Sequence, residues 1–319
     1  MSDDKTNPEE MLLALKGRKP KTGSNVLSFR HQNSDLNKNY LFTTDILSAS
    51  WLPRKLKDKE QTRFVRRYGG LTLITSSGYY PDNSPIGLPS GVVARKLFIG
   101  LIDRAFRGGS PVVEFQSVYQ LLKEAGFSTC SHRTKTFHKQ ALRLATCRIE
   151  IYYQPKNEPN KILRFQGSIF DAVEMNQMLE KGQMTLFANK VIFADSFFEK
   201  VVMRSGFGYL RDYVKQAKTA YEVDVLLWLV RRVAFTNYPV TVEWRHLKEQ
   251  FANSARVQNY NFQQNFERAF TRVCELVGID ATINTRGVLI QPPHPEIKKK
   301  LFRYSPKMVE ISEFERTKQ

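Results

Sequence analysis

The chain has 319 residues, which is enough for two domains of ordinary size, and 41% of them are hydrophobic, which is ample material for packed cores. No apolar run has the length of a transmembrane helix, and three widely spaced cysteines, Cys130, Cys147 and Cys274, form neither a disulfide framework nor a zinc motif. The formal net charge of +18 predicts a polyanionic partner, and nucleic acid is favoured because the basic residues cluster.

The first 38 residues are polar and uneven in composition. They open with "MSDDKTNPEE", which is acidic and lacks the apolar segment of a secretory signal. The stretch "LKGRKPKTGSN" is basic and contains Pro and Gly. These features predict a flexible basic N-terminal arm. Together with the cysteine pattern, they fit a protein of the cytoplasm.

From Tyr40 onward the pattern is that of a globular protein. The stretch "FVRRYGGLTLITSSGYYP" predicts a β-hairpin, because glycines separate runs rich in β-branched and aromatic residues. "LPSG" then introduces a helix of period 3.6 whose predicted buried residues are Val93, Leu97, Leu101 and Phe106.

A first unit of short elements follows. "PVVEF" predicts a strand, "VYQLLKEAG" a short helix that stops at Gly126, and "HRTKTFHKQALRLAT" a longer helix. "CRIEIYYQ" and "KILRFQGSIF" alternate as strands on either side of "PKNEPN", which predicts a hairpin with a charged tip.

A second unit has the same order. "TAYEVDVLLWLVRRVAF" is a strongly apolar helix, "YPVTVEW" a strand, "RHLKEQFAN" a short helix and "YNFQQNFERAFTRVCELVG" a longer one. "IDATINTRGVLIQPP" predicts the closing hairpin. When the units are aligned on Val-Glu-aromatic, Phe115 corresponds to Trp244, and both are predicted to anchor a core.

Helix, strand, helix, turn, helix and hairpin is the order of a winged helix, a helix-turn-helix with an attached β-hairpin. The predicted fold class is therefore α+β, with two tandem winged-helix domains in which the short strand joins the sheet of the wing. The predicted divisions are a flexible N-terminal arm (1–38), a first winged helix (39–173), a connector (174–208), a second winged helix (209–297) and a basic C-terminal tail (298–319).

The longer helix of each unit is the candidate DNA-recognition helix. The first offers cationic and hydrogen-bonding side chains for phosphate, guanine or adenine: Arg133, Lys135, Thr136, Lys139, Gln140 and Arg143. The second has a more neutral polar face, which favours base reading: Asn259, Asn261, Gln263, Gln264, Arg268 and Arg272. An ordinary solvated helix face is the alternative in each case.

The hairpins supply further candidate phosphate or minor-groove contacts, namely Lys156, Lys161 and Arg164 in the first unit and Arg286 in the second. Two charge runs, "RKLKDKEQTRFVRR" and "KKKLFR", are interpreted either as DNA contacts or as solvated surface.

No motif for catalysis is found in the sequence. It has no His-x-His pair, no Gly-x-x-x-x-Gly-Lys-Ser/Thr loop and no carboxylate cluster typical of a two-metal site. Tyr79 and Tyr80 have no neighbour in the sequence that would activate them as nucleophiles. The sequence therefore predicts a protein that is not an enzyme, with no catalytic residue, metal site or cofactor.

The connector contains "QMTLF", which resembles the peptide that bacterial proteins insert into the sliding clamp. Its contact residues would be Gln183, Leu186 and Phe187. A buried strand is the favoured alternative, because five residues match often by chance.

Over about residues 40 to 297 the chain resembles the plasmid-encoded replication initiator (RepA) family with tandem winged helices. The resemblance is carried by "WLPRK", "GLPSGVVARKLF", "SVYQLLKEAG", "YEVDVLLWLVRRVAF", "VEWRHLKEQF" and "GVLIQPPHP". The family usually has Leu-Pro-Tyr-Gly followed by Pro-Arg before the first long helix. Here Ser90 replaces the Tyr and Ala94 the Pro, while Arg95 is retained.

The resemblance implies a bacterial cytoplasmic protein that binds repeated sites (iterons) in the double-stranded DNA of a plasmid origin and helps open the adjacent duplex. It implies the host helicase and the host initiator as protein partners, with the sliding clamp as a further candidate. It also implies repression of the protein's own gene, often as a homodimer, and no association with membranes. A transcriptional regulator of the same fold, and an origin nickase or primase, are the alternatives.

Overall fold

In the computed structural model, the residues that can be described are 39–44, 48, 50–56, 58, 61–68, 70–115, 118–124, 127, 131–154, 163–174, 189–203, 206–235, 237–252 and 257–297. The predicted N-terminal arm and C-terminal tail lie outside this part of the chain. Lys156, Lys161 and the three residues of the clamp motif, Gln183, Leu186 and Phe187, lie outside it as well.

The described part of the chain contains eight helices: α1 (Gly91–Gly108), α2 (Val118–Glu124), α3 (Ser131–Thr146), α4 (Asp195–Phe197), α5 (Arg211–Gln216), α6 (Ala220–Phe235), α7 (Trp244–Phe251) and α8 (Asn259–Val277). Helix α4 continues as a π-helical turn over Phe198–Val202. None of the helices within the described ranges is long and apolar enough to cross a membrane.

Twelve strands in the same ranges form four antiparallel sheets. The strands are β1 (Tyr40–Thr44), β2 (Arg63–Tyr68), β3 (Leu71–Ser76), β4 (Val112–Phe115), β5 (Arg148–Tyr153), β6 (Leu163–Ser168), β7 (Phe170–Glu174), β8 (Asn189–Phe193), β9 (Gly206–Leu210), β10 (Val240–Glu243), β11 (Ala281–Ile283) and β12 (Gly287–Ile290). The strand orders are β1-β9, β2-β3-β5-β6, β4-β8-β7 and β10-β12-β11.

The second unit has the predicted winged-helix order. Helix α6 leads to β10, which is followed by α7, α8 and the hairpin β11–β12. Strand β10 pairs with β12, so the short strand joins the sheet of the wing as expected. Phe262, Phe266 and Phe270 recur every four residues along α8, and all three are buried, which fixes the inward face of this helix.

The first unit differs from the prediction in its sheet. Strand β4 pairs with β8, and β8 pairs with β7, so the strands in the wing positions are β7 and β8. The predicted wing hairpin, β5–β6, does form, but it extends the hairpin β2–β3 into a four-stranded sheet. Hairpin signals in a sequence define local pairs and do not say which third strand will join them.

The two predicted core anchors have different surroundings. Phe115 is buried, as expected. Trp244 is only partly buried: its ring meets Phe266 edge-on at a centroid distance of 5.9 Å, and its Nε1–H donates to the backbone oxygen of Asn284 at 3.1 Å. Trp244 therefore links α8 to the wing turn at the surface.

A buried ion pair joins the two units. Asp224 of α6 receives hydrogen bonds from Arg95 of α1, with Nε to Oδ1 at 2.6 Å and Nη2 to Oδ2 at 2.8 Å, and both side chains are only 3% exposed. Arg95 also donates to the carbonyl oxygens of Leu52 at 2.7 Å, Pro53 at 3.2 Å and Gly91 at 3.0 Å. All five guanidinium N–H groups of Arg95 therefore have acceptors.

The segment from Ser48 to Arg54, of which residue 49 is outside the described ranges, lies between the units. Ser50 donates its hydroxyl to Asp224 Oδ2 at 2.8 Å, and Gln250 of α7 donates to the carbonyl of Ser48 at 3.2 Å. The guanidinium of Arg54 lies over the ring of Tyr221 in α6, 3.7 Å from its centroid. These contacts connect the segment to the second unit, and the hydrogen bonds from Arg95 to the carbonyls of Leu52 and Pro53 connect it to α1.

A second contact between the units involves β2 and the end of α7. Arg66 is buried and donates to the carbonyl oxygens of Ser50 and Ala252. Burial lowers the pKa of Arg66 to about 10, while the negative charge of Asp224 opposes that shift. The first unit therefore holds the C-terminal end of the short helix α7, through Ala252 and Gln250.

We expect the buried ion pair to dominate the stability of this joint. Asp224→Ala would leave the Arg95 charge buried and unpaired, and it should lower the free energy of unfolding by about 3–5 kcal/mol. Urea unfolding followed by circular dichroism would measure the change. Asp212→Ala is the matched control, because Asp212 is 72% exposed and pairs with Lys215 at 3.1 Å; it should cost no more than about 1 kcal/mol. Equal stability of the two variants would contradict the structural role of the pair.

Candidate nucleic-acid interface

Helices α7 and α8 form the helix-turn-helix of the second unit. Leu247 and Phe251 of α7 are buried, and Phe251 stacks edge-on with Phe266 of α8 at a centroid distance of 5.3 Å. This packing leaves the polar side of α8 in solvent. The predicted recognition residues lie there: Asn259, Asn261, Gln264, Arg268 and Arg272 are exposed, and Gln263 is half-buried.

Some of these side chains are already held by neighbours. Lys248 Nζ donates to Asn259 Oδ1 at 2.7 Å, and Arg272 Nε lies 3.5 Å from Glu222 Oε2. Gln264 and Arg268 make no hydrogen bond or ion pair with the side chains that the structure describes. Together with Asn261, whose exposed side chain makes no such contact either, they are the α8 residues best placed to bind a ligand without losing an internal contact.

Tyr260, which no pattern in the sequence marks as a site residue, is 71% exposed at the start of α8. An exposed aromatic ring beside Asn259 and Asn261 offers a flat apolar surface for contact with a thymine methyl group or sugar. Tyr260 lies two residues before Phe262, the first of the inward-facing phenylalanines of α8. This spacing places it on a different side of the helix and could have identified it as an exposed aromatic residue.

The tip of the second wing is a tightly bonded turn. Asn284 accepts from the backbone N–H groups of Arg286 at 2.9 Å and Gly287 at 3.0 Å through its side-chain oxygen. A Cβ at Gly287 would lie 2.0 Å from the carbonyl oxygen of Val242, so only glycine allows β12 to approach β10 this closely. Arg286, a predicted wing contact, is exposed on this turn.

A groove runs between β2 of the first unit and the helices α7 and α8 of the second. It encloses about 520 Å³, and its lining includes Arg67, Arg245, Lys248, Asn259 and Gln263. Glu249 also lines it, and Arg245 pairs with Glu243 at 2.7 Å, so the positive charge is partly offset. The groove brings cationic side chains of both units beside the start of α8.

The sequence does not single out Arg245 and Lys248 as site residues, and Arg67 belongs to a charge run for which DNA contact and solvated surface are both open. The alternation of Arg63, Val65 and Arg67 in a predicted strand was a usable signal, because such residues share one face. Arg245 and Lys248 are likewise three residues apart and therefore neighbours on one side of α7.

Helix α3 is the corresponding second helix of the first unit. Lys135 and Lys139 are exposed and Thr136 is half-buried, which agrees with their predicted place on the outer face. Arg133 lies in α3, but its side chain is outside the described part of the structure. The exposed cationic residues of α3 are separated by four positions and so lie one turn apart.

Gln140 and Arg143 were predicted to face DNA, and the structure corrects this. Both are buried: Gln140 Oε1 accepts from the backbone N–H of Ser90 at 2.8 Å, and Arg143 Nε donates to the carbonyl of Ile86 at 3.1 Å. A Cβ at Gly87 would lie 2.7 Å from Nη2 of Arg143, and Gly87 has a φ of 93°. The two side chains therefore fix the loop that precedes α1.

Arg164 is exposed, but it lies in the four-stranded sheet and not in a wing. Its Nη2 is 3.5 Å from Glu150 Oε2 and its guanidinium is 5.1 Å from the centre of the Tyr152 ring.

Within the described ranges, no group of three His, Cys, Asp or Glu residues could hold a metal ion.

The chain resembles two solved structures of domains 2 and 3 of RctB. One has a TM-score of 0.50 and 10% sequence identity, and the match covers 78% of this chain and 97% of that one. The other, RctB 155–483, has a TM-score of 0.49 and 12% identity over 79% and 98% of the two chains. At such low identity the likeness is one of fold alone. No protein-family profile and no curated protein sequence matches the chain.

We expect Arg268→Ala to remove one base contact. If Arg268 contacts a base, the variant should lose about 1–3 kcal/mol of binding at one or two base positions and little at others. Competition binding with single-base variants of a selected site would measure this. Lys218→Ala, which removes one exposed charge before α6, is the control. A uniform loss over all sequences would show that α8 does not read bases.

The two sides of α3 should respond differently to substitution. Lys135→Ala with Lys139→Ala should reduce the slope of log affinity against log salt by about 1.8, at about 0.9 for each phosphate contact, and leave stability unchanged. Gln140→Ala should leave the slope unchanged and cost about 1–3 kcal/mol of stability, because the N–H of Ser90 loses its acceptor. An unchanged slope in the lysine variant would remove α3 from the phosphate interface.

Proposed function

We propose that this protein is a sequence-specific, double-stranded DNA-binding replication initiator that acts at the repeated sites of a plasmid origin. One observation carries the proposal: a single chain holds two winged-helix units through a buried ion pair, and the second helix of each unit presents polar or basic side chains to solvent. A net charge of +18 supports a polyanionic partner.

Two further findings support an initiator. The sequence resembles the RepA family of plasmid initiators over about residues 40 to 297, in segments that include "WLPRK" and "VEWRHLKEQF". The likeness to RctB domains 2 and 3 supports a replication-initiator-like fold. Membership of the RepA family and binding to iterons are part of the proposal.

In this proposal the two units have different tasks. Helix α8, with Gln264 and Arg268 available on a largely neutral face, reads base edges in a major groove. Helix α3, with Lys135 and Lys139, holds the phosphate backbone and adds affinity more than specificity. Arg286 on the second wing contacts the backbone beside the groove that α8 occupies.

We further propose that the protein is not an enzyme and that it works in the bacterial cytoplasm. It would help open the duplex beside its sites and bring in the host helicase and the host initiator, with the sliding clamp as an additional candidate partner. A homodimer that represses the protein's own gene belongs to the same proposal.

Transformation of a host with an origin fragment and this gene tests the proposal. We expect the fragment to replicate when the wild-type gene is present and to be lost when the gene encodes the Arg268→Ala variant. A gene that encodes Lys218→Ala is the control and should still support replication. If the gene represses a promoter through the same sites but supports no replication, the protein is a transcriptional regulator. Metal-dependent relaxation of supercoiled origin DNA would instead show a nickase.

The joint between the units predicts how the two half-sites must be spaced. Because the units are held, both second helices can dock on one face of the duplex only when the half-site centres are about 10–10.5 base pairs apart. Inserting about five base pairs should therefore remove much of the affinity, and inserting about ten should not restore it, because held units cannot reach across the longer distance. A gel-shift series with increasing insertions would measure this. Affinity that does not change with insertion length would show that the units are freely jointed, because a flexible link keeps the second unit at a high effective concentration near its half-site.

A further inference from the structure

One face of the four-stranded sheet carries mostly charged and polar side chains in the described part of the chain. Alternate residues of a strand point to opposite faces, and the register aligns Arg63 with Ser76, Arg148 and Ser168 across the sheet. The second row of the same face runs from Arg67 through Thr72 and Tyr152 to Arg164. The opposite face contains buried apolar residues such as Phe64, Leu73 and Ile149.

This outer sheet face, defined by Arg63, Arg67, Arg148 and Arg164, is strongly cationic. All four arginines are exposed. Among the residues of this face that the structure describes, Glu150 is the one acidic side chain, and it accepts the Tyr152 hydroxyl at 2.6 Å and lies 3.5 Å from Arg164. Four arginines therefore share a single carboxylate, so the face keeps a net positive charge.

The neutral residues between the arginines indicate what kind of polyanion fits. Ser76, Thr72, Gln166 and Ser168 are hydrogen-bonding side chains of types that commonly contact the phosphates of DNA. A membrane-binding surface exposes large apolar side chains, whereas on the described part of this face Ile74 is buried, Val65 is half-buried and the half-buried Tyr152 is hydrogen-bonded to Glu150. The composition favours a phosphate backbone over a lipid surface.

The dimensions of the outer sheet face also fit a DNA phosphate backbone. Arg63 and Arg67 are four residues apart on one strand, which is about 13 Å. Arg67 and Arg164 are separated by three strand spacings, or about 14 Å. The major groove of B-form DNA is about 12 Å wide, so the arginines are spaced to reach phosphates on the two sides of one groove.

The outer sheet face is also continuous with the candidate nucleic-acid interface. Val65 and Arg67 belong to this face and line the groove that leads to Lys248 and Gln263 of the second helix-turn-helix. The edge strand β2 is the strand that packs against α7. A duplex bound at α8 can therefore continue past Arg67 onto the sheet.

We propose that the outer sheet face binds the phosphate backbone of the DNA that flanks the site contacted by α8. This inference rests on the proposed DNA-binding function and adds a third contact surface to α3 and α8. It gives the four-stranded sheet a function separate from that of either winged helix: the sheet lengthens the bound segment of duplex without reading its sequence.

The test combines charge removal with DNA length. The variant R63Q/R148Q removes two exposed charges, and R63K/R148K keeps them at the same positions. Affinity and its salt dependence would be measured on a short duplex limited to the selected site and on one extended by about ten base pairs on each side. Because both positions are exposed, we expect melting temperatures close to that of the parent.

We expect the extension to strengthen binding by the parent protein and by R63K/R148K, and to strengthen it much less for R63Q/R148Q. On the long duplex the salt slope of R63Q/R148Q should be smaller by about 1.8, which corresponds to two phosphates. An equal gain for all three proteins would overturn the inference, as would an equal loss on both duplexes. A change in oligomeric state of R63Q/R148Q without DNA would also overturn it, since the face would then bind a second copy. Absence of duplex binding by the parent protein would instead refute the proposed function itself.

Discussion

The contact between Arg95 and Asp224 determines how the two halves of the molecule are arranged. Removing both charges from water is costly, and the cost is offset only when the geometry is good and every remaining donor is satisfied. Here the pair is bidentate, and Arg95 gives its other hydrogen bonds to the backbone of residues 52, 53 and 91. Any rotation of one unit against the other would leave buried charges unpaired, so the pair favours one arrangement strongly.

The same physics explains the neighbouring contacts. Asp103 of α1 is buried and accepts from the N–H of Phe42 at 2.9 Å and from Arg107 and Arg211 at 2.9 Å and 3.1 Å. Burial raises the pKa of this carboxyl, while the two arginines act in the opposite direction. Through this cluster, helix α1 is fastened to β1 and α5. Helix α1 thus carries both Arg95, which pairs with Asp224 of α6, and Asp103, which holds β1 and α5.

Much of the element order could be predicted from the sequence. The phenylalanines of α8 and the apolar residues of α1 repeat at helical spacing, and Gly70 marks the turn before β3, so local patterns defined these elements. The pairing of β4 with β8 could not be predicted, because long-range strand pairing depends on tertiary packing and leaves no local mark. The order of a winged helix repeated twice was therefore visible, while the sheet of the first unit was not.

The candidate site was predicted less well in the first unit than in the second. Gln140 and Arg143 look like solvated polar residues in the sequence, yet they are buried because the loop before α1 offers them backbone partners. The polar side chains of α8 at positions 259, 261, 264, 268 and 272 are exposed instead. The cationic sheet face required the register of β2, β3, β5 and β6, which brings arginines from three separate segments onto one surface.

A hydroxyl-radical footprint of the protein on its selected duplex tests the central claim most directly, namely that two held winged helices bind one face of the DNA together. We expect two protected regions on the same face, with centres about one helical turn (roughly 10 base pairs) apart, and both should disappear together as salt is raised. A single protected region, or two regions that are lost at clearly different salt concentrations, would contradict the claim.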